Sequence, residues 1–371
     1  MKLLYIGHYK ESSGWSKAAI DLIHAIDSAG IDVVCRNVKL TPKPFSIPDK
    51  ITELEKKSLD NIDFCIQHLL PHHIVGTSKF KKNIAYYVGE SNTLKYNPWK
   101  TSLSLVDEIW VPNNTQLHNM KKDGFSNVKY VPHAFDISRY KKDIKTRVNF
   151  GAKNSSFKFY YIADINERKN IESVIKSFHS EFHAYEPVSL VLKIKKFGVN
   201  STDLKNHVKS MCDSIKKTLR IYPKIEDYHE EIIISDEMTS EEIDILHKSC
   251  DCMVNTTHGE GWSIPSFDAM CFGNTPICSN EGGPKEYILD RNHGTLINGV
   301  QSVCEHSDSA FPNIFTGREL WFTPDEQEIK SAMRFYYDNR GNIDKTKGLE
   351  CAEKFSYENV GNIIKEILNA E

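Results

Sequence analysis

Short apolar runs alternate with stretches of helical periodicity from the first residues onward, and this alternation restricts the fold more than any other feature of the chain. LLYIG, residues 3–7, is apolar throughout, as suits a strand buried on both faces of a parallel sheet. After the polar loop HYKESSG, the side chains Trp15, Ala19, Leu22, Ile23 and Ile26 recur at the helical period, and Gly30 ends that helix. IDVVCRNV, residues 31–38, supplies the next strand. A chain that opens β-α-β is expected to form a parallel sheet with helices on both faces. Pro42, Pro44 and Pro48 mark a loop, and strands are expected over residues 62–69, 83–91, 107–113 and 127–136, with Pro132 at the end of the last because proline cannot serve a central ladder.

The alternation restarts at FKFYYIAD, residues 157–164. A helix follows with Ile171, Val174, Ile175 and Phe178 on one face. Next come a strand over 189–194, a lysine-studded helix over 203–219, a strand over 231–237 and a helix capped at Thr239 and running to His247. A strand over 251–257 comes after it; residues 299–322 read as irregular, and 324–337 and 357–368 as helices. The 371 residues exceed what one core usually serves, so two domains are expected, joined near residues 139–156, which are rich in Lys, Asn and Ser.

A net charge of −3 gives no reason to expect a nucleic-acid partner, and small molecules or neutral polymers are the natural ones. Nine cysteines are scattered without zinc-like or redox spacing and read as reduced core residues. With no apolar run of ~18 residues and no leader-like opening, the expectation is a cytoplasmic protein without a membrane span. Lys205, Lys209, Lys216 and Lys217 in the helix over 203–219 allow peripheral contact with an anionic membrane, but a solvated helix face is the favoured reading of them.

The chemistry concentrates in THGEGWSIPSFDAMCFGNTPICSNEGGPKE, residues 257–286. Pro265 suits the first turn of a short helix and Gly273 its left-handed stop. TPICS reads as a buried strand, and Gly282, Gly283 and Pro284 turn the chain into a second helix near Lys285. Two helix N termini would then lie near two carboxylates, Glu260 and Asp268, an arrangement suited to a ligand with phosphates and hydroxyls. On spacing alone the plainer alternative stands, with Asp268 facing solvent and Glu260 capping a helix.

The run from Glu260 to Glu286 resembles the signature of the family four retaining glycosyltransferases, EGFGxPxxEAMAxGxPVIxSxxGGxxE. The resemblance implies two Rossmann-like domains facing across a cleft, the GT-B fold. Their expected extents are residues 1–148 on the acceptor side and 149–352 on the donor side, with 353–371 as a last helix crossing back. It implies Glu260 at the donor sugar and Asp268 at the donor ribose, with Gly261, Trp262, Ser263, Ile264, Gly282 and Gly283 as further donor contacts. Asp268 is shorter than the family's Glu, and Ser263 replaces a glycine. YYIADINERKN, residues 160–170, is similar to the family's YVGRLxxRKG, so Lys169 is expected to grip the donor diphosphate. Asp164 stands where that pattern has an arginine, and Arg168 or Lys193 is expected to supply the missing cation. SSGWSKAAIDL, residues 12–22, resembles the family's glycine loop, with Gly14 approaching the donor. VGESNTLKYNPWK, residues 88–100, resembles an acceptor-side region in which Glu90 is a candidate site residue. His68, His72 and His73 lie near a strand end, without a spacing that supports a metal.

The resemblance thus implies retaining transfer of a sugar from a nucleotide sugar to a glycan or small-molecule acceptor, in polysaccharide or glycoconjugate synthesis, with Glu260 and Lys169 as the catalytic residues and with neither cofactor nor metal. The rivals are a GT-B epimerase or phosphorylase and an inactive nucleotide-sugar-binding module. A dinucleotide dehydrogenase is disfavoured by the lack of a GxGxxG turn after the first strand.

Overall fold

The computed structural model describes residues 1–40, 45–151, 156–304 and 315–370. Contacts divide the chain into one unit of Met1–Arg139 with Ala352–Glu371 and another of Tyr140–Cys351. Among the described residues no helix is long and apolar enough to cross a membrane.

The first unit is built from β1 (Lys2–Gly7), α1 (Gly14–Ser28), β2 (Asp32–Asn37), α2 (Asp49–Glu55), β3 (Phe64–His68), β4 (Lys82–Tyr86), α3 (Trp99–Leu103), β5 (Glu108–Val111), α4 (Asn114–Lys122), β6 (Val128–Tyr130) and α5 (Ile137–Tyr140). Its six strands run in the order β2-β1-β3-β4-β5-β6, every pair parallel. Strand β1, next to the edge strand β2, pairs Leu3 with Val33 on one side and with Phe64 on the other. The apolar face of α1 explains why it packs on this sheet: Ala19, Leu22, Ile23 and Ile26 are all buried with Leu3 and Val33 in one core. The last helix, Tyr357–Asn369, joins the same core through Val360, Ile364 and Leu368. Its Gly361 lies so close to α1 that a Cβ would stand 2.2 Å from the Ala25 carbonyl oxygen.

In the second unit the chain runs through β7 (Phe157–Asp164), α6 (Ile171–Glu181), β8 (Val188–Lys195), α7 (Ser201–Leu219), β9 (Ile232–Ile234), α8 (Ser240–Ser249), β10 (Cys252–Asn255), α9 (Ile264–Cys271), β11 (Ile277–Ser279), α10 (Pro284–Tyr287), β12 (Thr295–Ile297), β13 (Gly299–Val303), β14 (Leu320–Pro324), α11 (Glu326–Asp338) and α12 (Lys347–Ala352). A second parallel sheet has the order β12-β11-β10-β7-β8-β9, so β7 and β10 lie side by side at its centre. Thr239 forms the expected capping box with Glu242 at the start of α8.

Several expectations need correction. Residues 299–322 are not irregular where described, because β13 and β14 form an antiparallel pair. β13 is largely exposed, so it lacks the apolar run that betrays a buried strand. The strand expected to reach Ser91 stops at Tyr86, and the one expected to reach Asp136 stops at Tyr130. α2, α3, α4, α12 and β12 were not expected; all are short, and their identity is set by tertiary packing more than by periodicity. Lys216 does not sit on a solvated face of α7 but is buried. The loop expected at Pro42 and Pro44 lies outside the described residues, as does part of the expected joining segment. All nine cysteines are buried.

Burial holds His8, His24, His68, His179 and His258 below the ordinary histidine pKa. The unfolded chain therefore binds protons that the folded chain resists. Their contribution to stability is intact above about pH 6.5 and erodes as the pH falls below it, by up to about 1.4 kcal/mol per pH unit for each histidine. A melting temperature that drops steeply from pH 7 to pH 5.5 is expected; a flat or rising profile would contradict this account.

Candidate active site

The candidate site in the second unit forms where the turns after the two central strands meet. After β7 the chain makes a tight 3-10 turn, Glu167–Lys169, whose Asn166 side chain accepts a hydrogen bond from the Lys169 N–H at 3.2 Å. Asn170 follows at a left-handed φ of +48°, a conformation that asparagine tolerates better than most residues. After β10 the chain runs through Thr256 to Ser263 before α9 begins.

These two segments are laced together through their backbones. The Arg168 carbonyl oxygen accepts bonds from the His258 N–H at 2.8 Å and the Thr257 hydroxyl at 2.9 Å. The Arg168 guanidinium donates to the Gly259 carbonyl at 2.5 Å, and the Asn170 amide donates to the Thr256 carbonyl at 2.9 Å. Arg168 is thus a brace for the loop that carries Glu260, besides being a cation near it.

Glu260 is 9% exposed, and its Oε2 lies 2.6 Å from the Lys169 ammonium and 3.8 Å from the Arg168 guanidinium. Burial raises the carboxyl pKa, but the attraction of Lys169 and Arg168 outweighs it, and Glu260 stays ionised below the usual carboxylate range. Glu260 is not itself the cap of α9, a position that Ser263 holds, but its carboxylate also accepts a backbone hydrogen bond at Ser263 beside its pairing with Lys169. Asp268 likewise does not face solvent: it is buried on α9, and its Oδ1 accepts the Tyr140 hydroxyl at 2.6 Å. The two acids therefore meet different partners.

Ser263 occupies a left-handed position, φ +66°, directly before α9. This accounts for the glycine of the resembling signature, and here hydrogen bonds hold the serine in place: Asn255 donates to its hydroxyl at 2.5 Å, and the hydroxyl donates to Ser266 at 2.7 Å. Gly261 is buried, Ile264 is half-buried at the start of α9, and Trp262 packs its ring against Phe267 and Tyr287. The expectation of two helix N termini shrinks to one, because α10 has only 4 residues and little macrodipole.

Gly282 and Gly283 lie against the backbone of the Glu260 loop. A Cβ on Gly282 would stand 1.8 Å from the Glu260 carbonyl oxygen, and one on Gly283 would stand 2.2 Å from the Trp262 Cα. Gly282 also has φ +66°. Replacing Gly282 by Ala is expected to displace this loop at a cost of roughly 4 kcal/mol, in the range reserved for severe backbone clashes. The melting temperature should fall accordingly; a variant as stable as the parent would contradict the close approach.

Lys193 is buried on β8, and burial pushes its pKa down. Its ammonium lies 3.4 Å from the Ile194 carbonyl, and no ion pair among the described residues joins it to Glu260. Of the two expected substitutes for the missing cation, the structure brings only Arg168 to Glu260. Asp164, at the end of β7, has its carboxyl pushed up by burial, against the pull of Lys195 and Lys169. Sequence reasoning missed Glu281, a half-buried acid directly before Gly282 whose carboxyl burial also pushes up. Its only sequence signal was its place in the SNEGGPKE turn.

The remaining candidates belong to the first unit. Gly14 is the first residue of α1, behind the cap formed by the Ser13 hydroxyl and the Ser16 N–H. Glu90 is half-buried beyond β4. Beside it, a Cβ on Gly89 would stand 2.5 Å from Gln116 Nε2, and the buried Gln116 amide has no hydrogen-bond partner among the described residues. His68 shares a 2.7 Å hydrogen bond with the Tyr5 hydroxyl through Nδ1 and lies against Trp15 with ring centroids 5.2 Å apart, while its Nε2 has no such partner. No group of three or more metal-ligating side chains occurs among the described residues.

Residues 214–306 match the family model described as glycosyl transferases group 1. No curated protein matches the chain by sequence. Among solved structures, HepE of Anabaena in complex with UDP-glucose is similar at a TM-score of 0.66 and 12% identity, covering 100% of each chain. Sucrose-phosphate synthase of Thermosynechococcus elongatus is similar at 0.66 and 12%, again covering 100% of each. A glycosyltransferase of Rickettsia africae is similar at 0.64 and 11%, covering 99% of this chain and 97% of that one. At such identities the likeness concerns the fold, two Rossmann-like units of the GT-B type.

Proposed function

We propose that this GT-B chain, with a glycosyl transferases group 1 match spanning Glu260, transfers a sugar from a nucleotide sugar to an acceptor hydroxyl with retention of configuration. The observation that carries the reading is the pair of half-buried Lys169 with buried Glu260, 2.6 Å apart and braced by Arg168. An ionised carboxylate beside two cations offers acceptors for sugar hydroxyls and donors for a diphosphate in one place.

In this reading Lys169 leaves Glu260 to engage the donor diphosphate, and the charge that grows on the departing diphosphate is met by Lys169, Arg168 and the α9 N terminus. Glu260, released from Lys169, holds the sugar hydroxyls. Asp268 meets the ribose, its position fixed by Tyr140. The acceptor hydroxyl attacks the anomeric carbon on the face from which the diphosphate leaves, and its proton passes to the leaving phosphate oxygen. No metal enters this scheme because protein cations take the charge-balancing role. HepE in complex with UDP-glucose, a neighbour in fold alone, makes UDP-sugars the first donors to try.

A thermal-shift panel of UDP, GDP, ADP, CMP and their sugars tests donor binding. One nucleoside diphosphate and its sugar should raise the melting temperature, by the free energy RT ln(1 + [L]/Kd). A panel with no response from any of them would remove the donor half of the proposal.

A further inference from the structure

A second concave feature of the Tyr140–Cys351 unit shares no residue with the candidate active site. At the carboxyl end of α7 a pocket of about 380 Å³ is bounded by Lys216, Lys217, Arg220, Tyr222, Lys224 and Tyr228. The pocket is built by specific bonds. The Tyr228 hydroxyl accepts the Ile221 N–H at 2.8 Å and the Tyr222 N–H at 3.3 Å, and donates to the Lys216 carbonyl at 3.1 Å. The Tyr222 hydroxyl oxygen in turn accepts the Ala184 N–H at 3.0 Å. One tyrosine thus folds the loop back onto the helix end, and a second ties it to the segment after α6.

Charge at the floor is balanced and charge at the rim is not. Lys216 is 4% exposed, and its ammonium lies 2.9 Å from Glu231, a buried carboxylate that also pairs with His179. Lys217, Arg220 and Lys224 are exposed, and no ion pair among the described residues neutralises any of them. The negative end of the α7 dipole explains lysines in its last turn, but Arg220 and Lys224 lie beyond the helix. Arg220 also adopts φ +54°, where glycine or asparagine is the unstrained choice. Ile221, 41% exposed, adds an apolar edge beside the cations.

We propose that this pocket is an anion site that takes a phosphate group. Three exposed cations lining one pocket with no ion pair among the described residues, one of them a guanidinium whose fork matches phosphate oxygens, are the chemistry such a group requires. The phosphate is carried either by an anionic lipid headgroup or by a soluble phosphoester, and the test separates these sources.

The full chain is compared with a variant carrying Lys217→Ala, Arg220→Gly and Lys224→Ala, in which the glycine suits the left-handed position. Cosedimentation with phosphatidylcholine vesicles, with and without phosphatidylglycerol, forms one arm. Thermal shift with inorganic phosphate and glycerol 3-phosphate forms the other. A lipid source predicts binding to the anionic vesicles that weakens on the order of a hundredfold in the variant, about fivefold for each cation removed. A soluble source predicts a phosphate-dependent shift of the parent that the variant lacks. A second variant, Lys205→Ala with Lys209→Ala, removes charge from the same helix outside the pocket and should behave as the parent in both arms. The proposal is overturned if parent and triple variant behave alike in both arms, or if the Lys205 and Lys209 variant loses as much binding.

Discussion

Replacement of Glu260 by Gln is expected to lower sugar transfer by about 10²–10³-fold while leaving the fold intact, the range seen when one preorganised electrostatic contact is removed from a transition state. The amide keeps the size of the side chain and most of its contacts with the loop, which the Arg168 and Thr257 bonds hold independently of the carboxylate. What disappears is the negative charge, which in the proposed mechanism makes Glu260 an acceptor for sugar hydroxyls beside a positive reacting centre. The effect should fall on kcat more than on the affinity for the free nucleotide, which has no sugar to hold. Transfer at near the parent rate would remove Glu260 from the mechanism, and a large loss of melting temperature would recast it as a structural ion-pair partner.

Replacement of Lys169 by Met is expected to act on the other half of the donor. A charged hydrogen bond is worth about 1.5–3 kcal/mol, so affinity for the nucleoside diphosphate should fall roughly 10- to 150-fold. The same change alters Glu260, which keeps the Arg168 guanidinium at 3.8 Å and the backbone hydrogen bond at Ser263. Burial, opposed now by one cation fewer, pushes the carboxyl upward. In the parent the folded-state pKa is depressed, so the pair's contribution to stability is present above the ordinary carboxylate pKa near 4.3 and is lost only as the pH falls through the depressed value. In the variant the folded-state pKa rises toward the ordinary value, so that window narrows from below and the loss of stability on acidification should be shallower than in the parent. Calorimetric titration with the nucleoside diphosphate, together with melting curves at several pH values, measures both effects. Unchanged affinity would end the role of Lys169 in binding.

Much of this organisation was legible because parallel strands buried on both faces leave uninterrupted apolar runs. FKFYYIAD became β7 without a residue of error, and Ile171, Val174, Ile175 and Phe178 marked the buried face of α6. The spacing of Pro265, Gly273 and the Gly282, Gly283 pair located α9, its stop and the turn before α10, because each demands a backbone shape that few other residues accept. What escaped was decided by distant parts of the chain. The exposed β13 finds its partner β14 only after a long connection. That Arg168 braces Gly259, and that Tyr140 meets Asp268, are contacts across 91 and 128 residues that no local pattern encodes. The Gln116 amide beside Gly89, without a hydrogen-bond partner among the described residues, and the buried Lys216–Glu231–His179 cluster were invisible for the same reason.

The central claim is transfer of a sugar with release of a nucleoside diphosphate, and proton NMR of the full chain with whichever donor stabilises it follows that event directly. The account predicts that the donor's anomeric signal decays only when an acceptor is supplied, that nucleoside diphosphate appears in equal amount, and that the new glycosidic signal has the donor's anomeric configuration, with a chelator present throughout. A donor that binds but persists unchanged with every acceptor class, or one that changes its sugar with no acceptor needed, would contradict it.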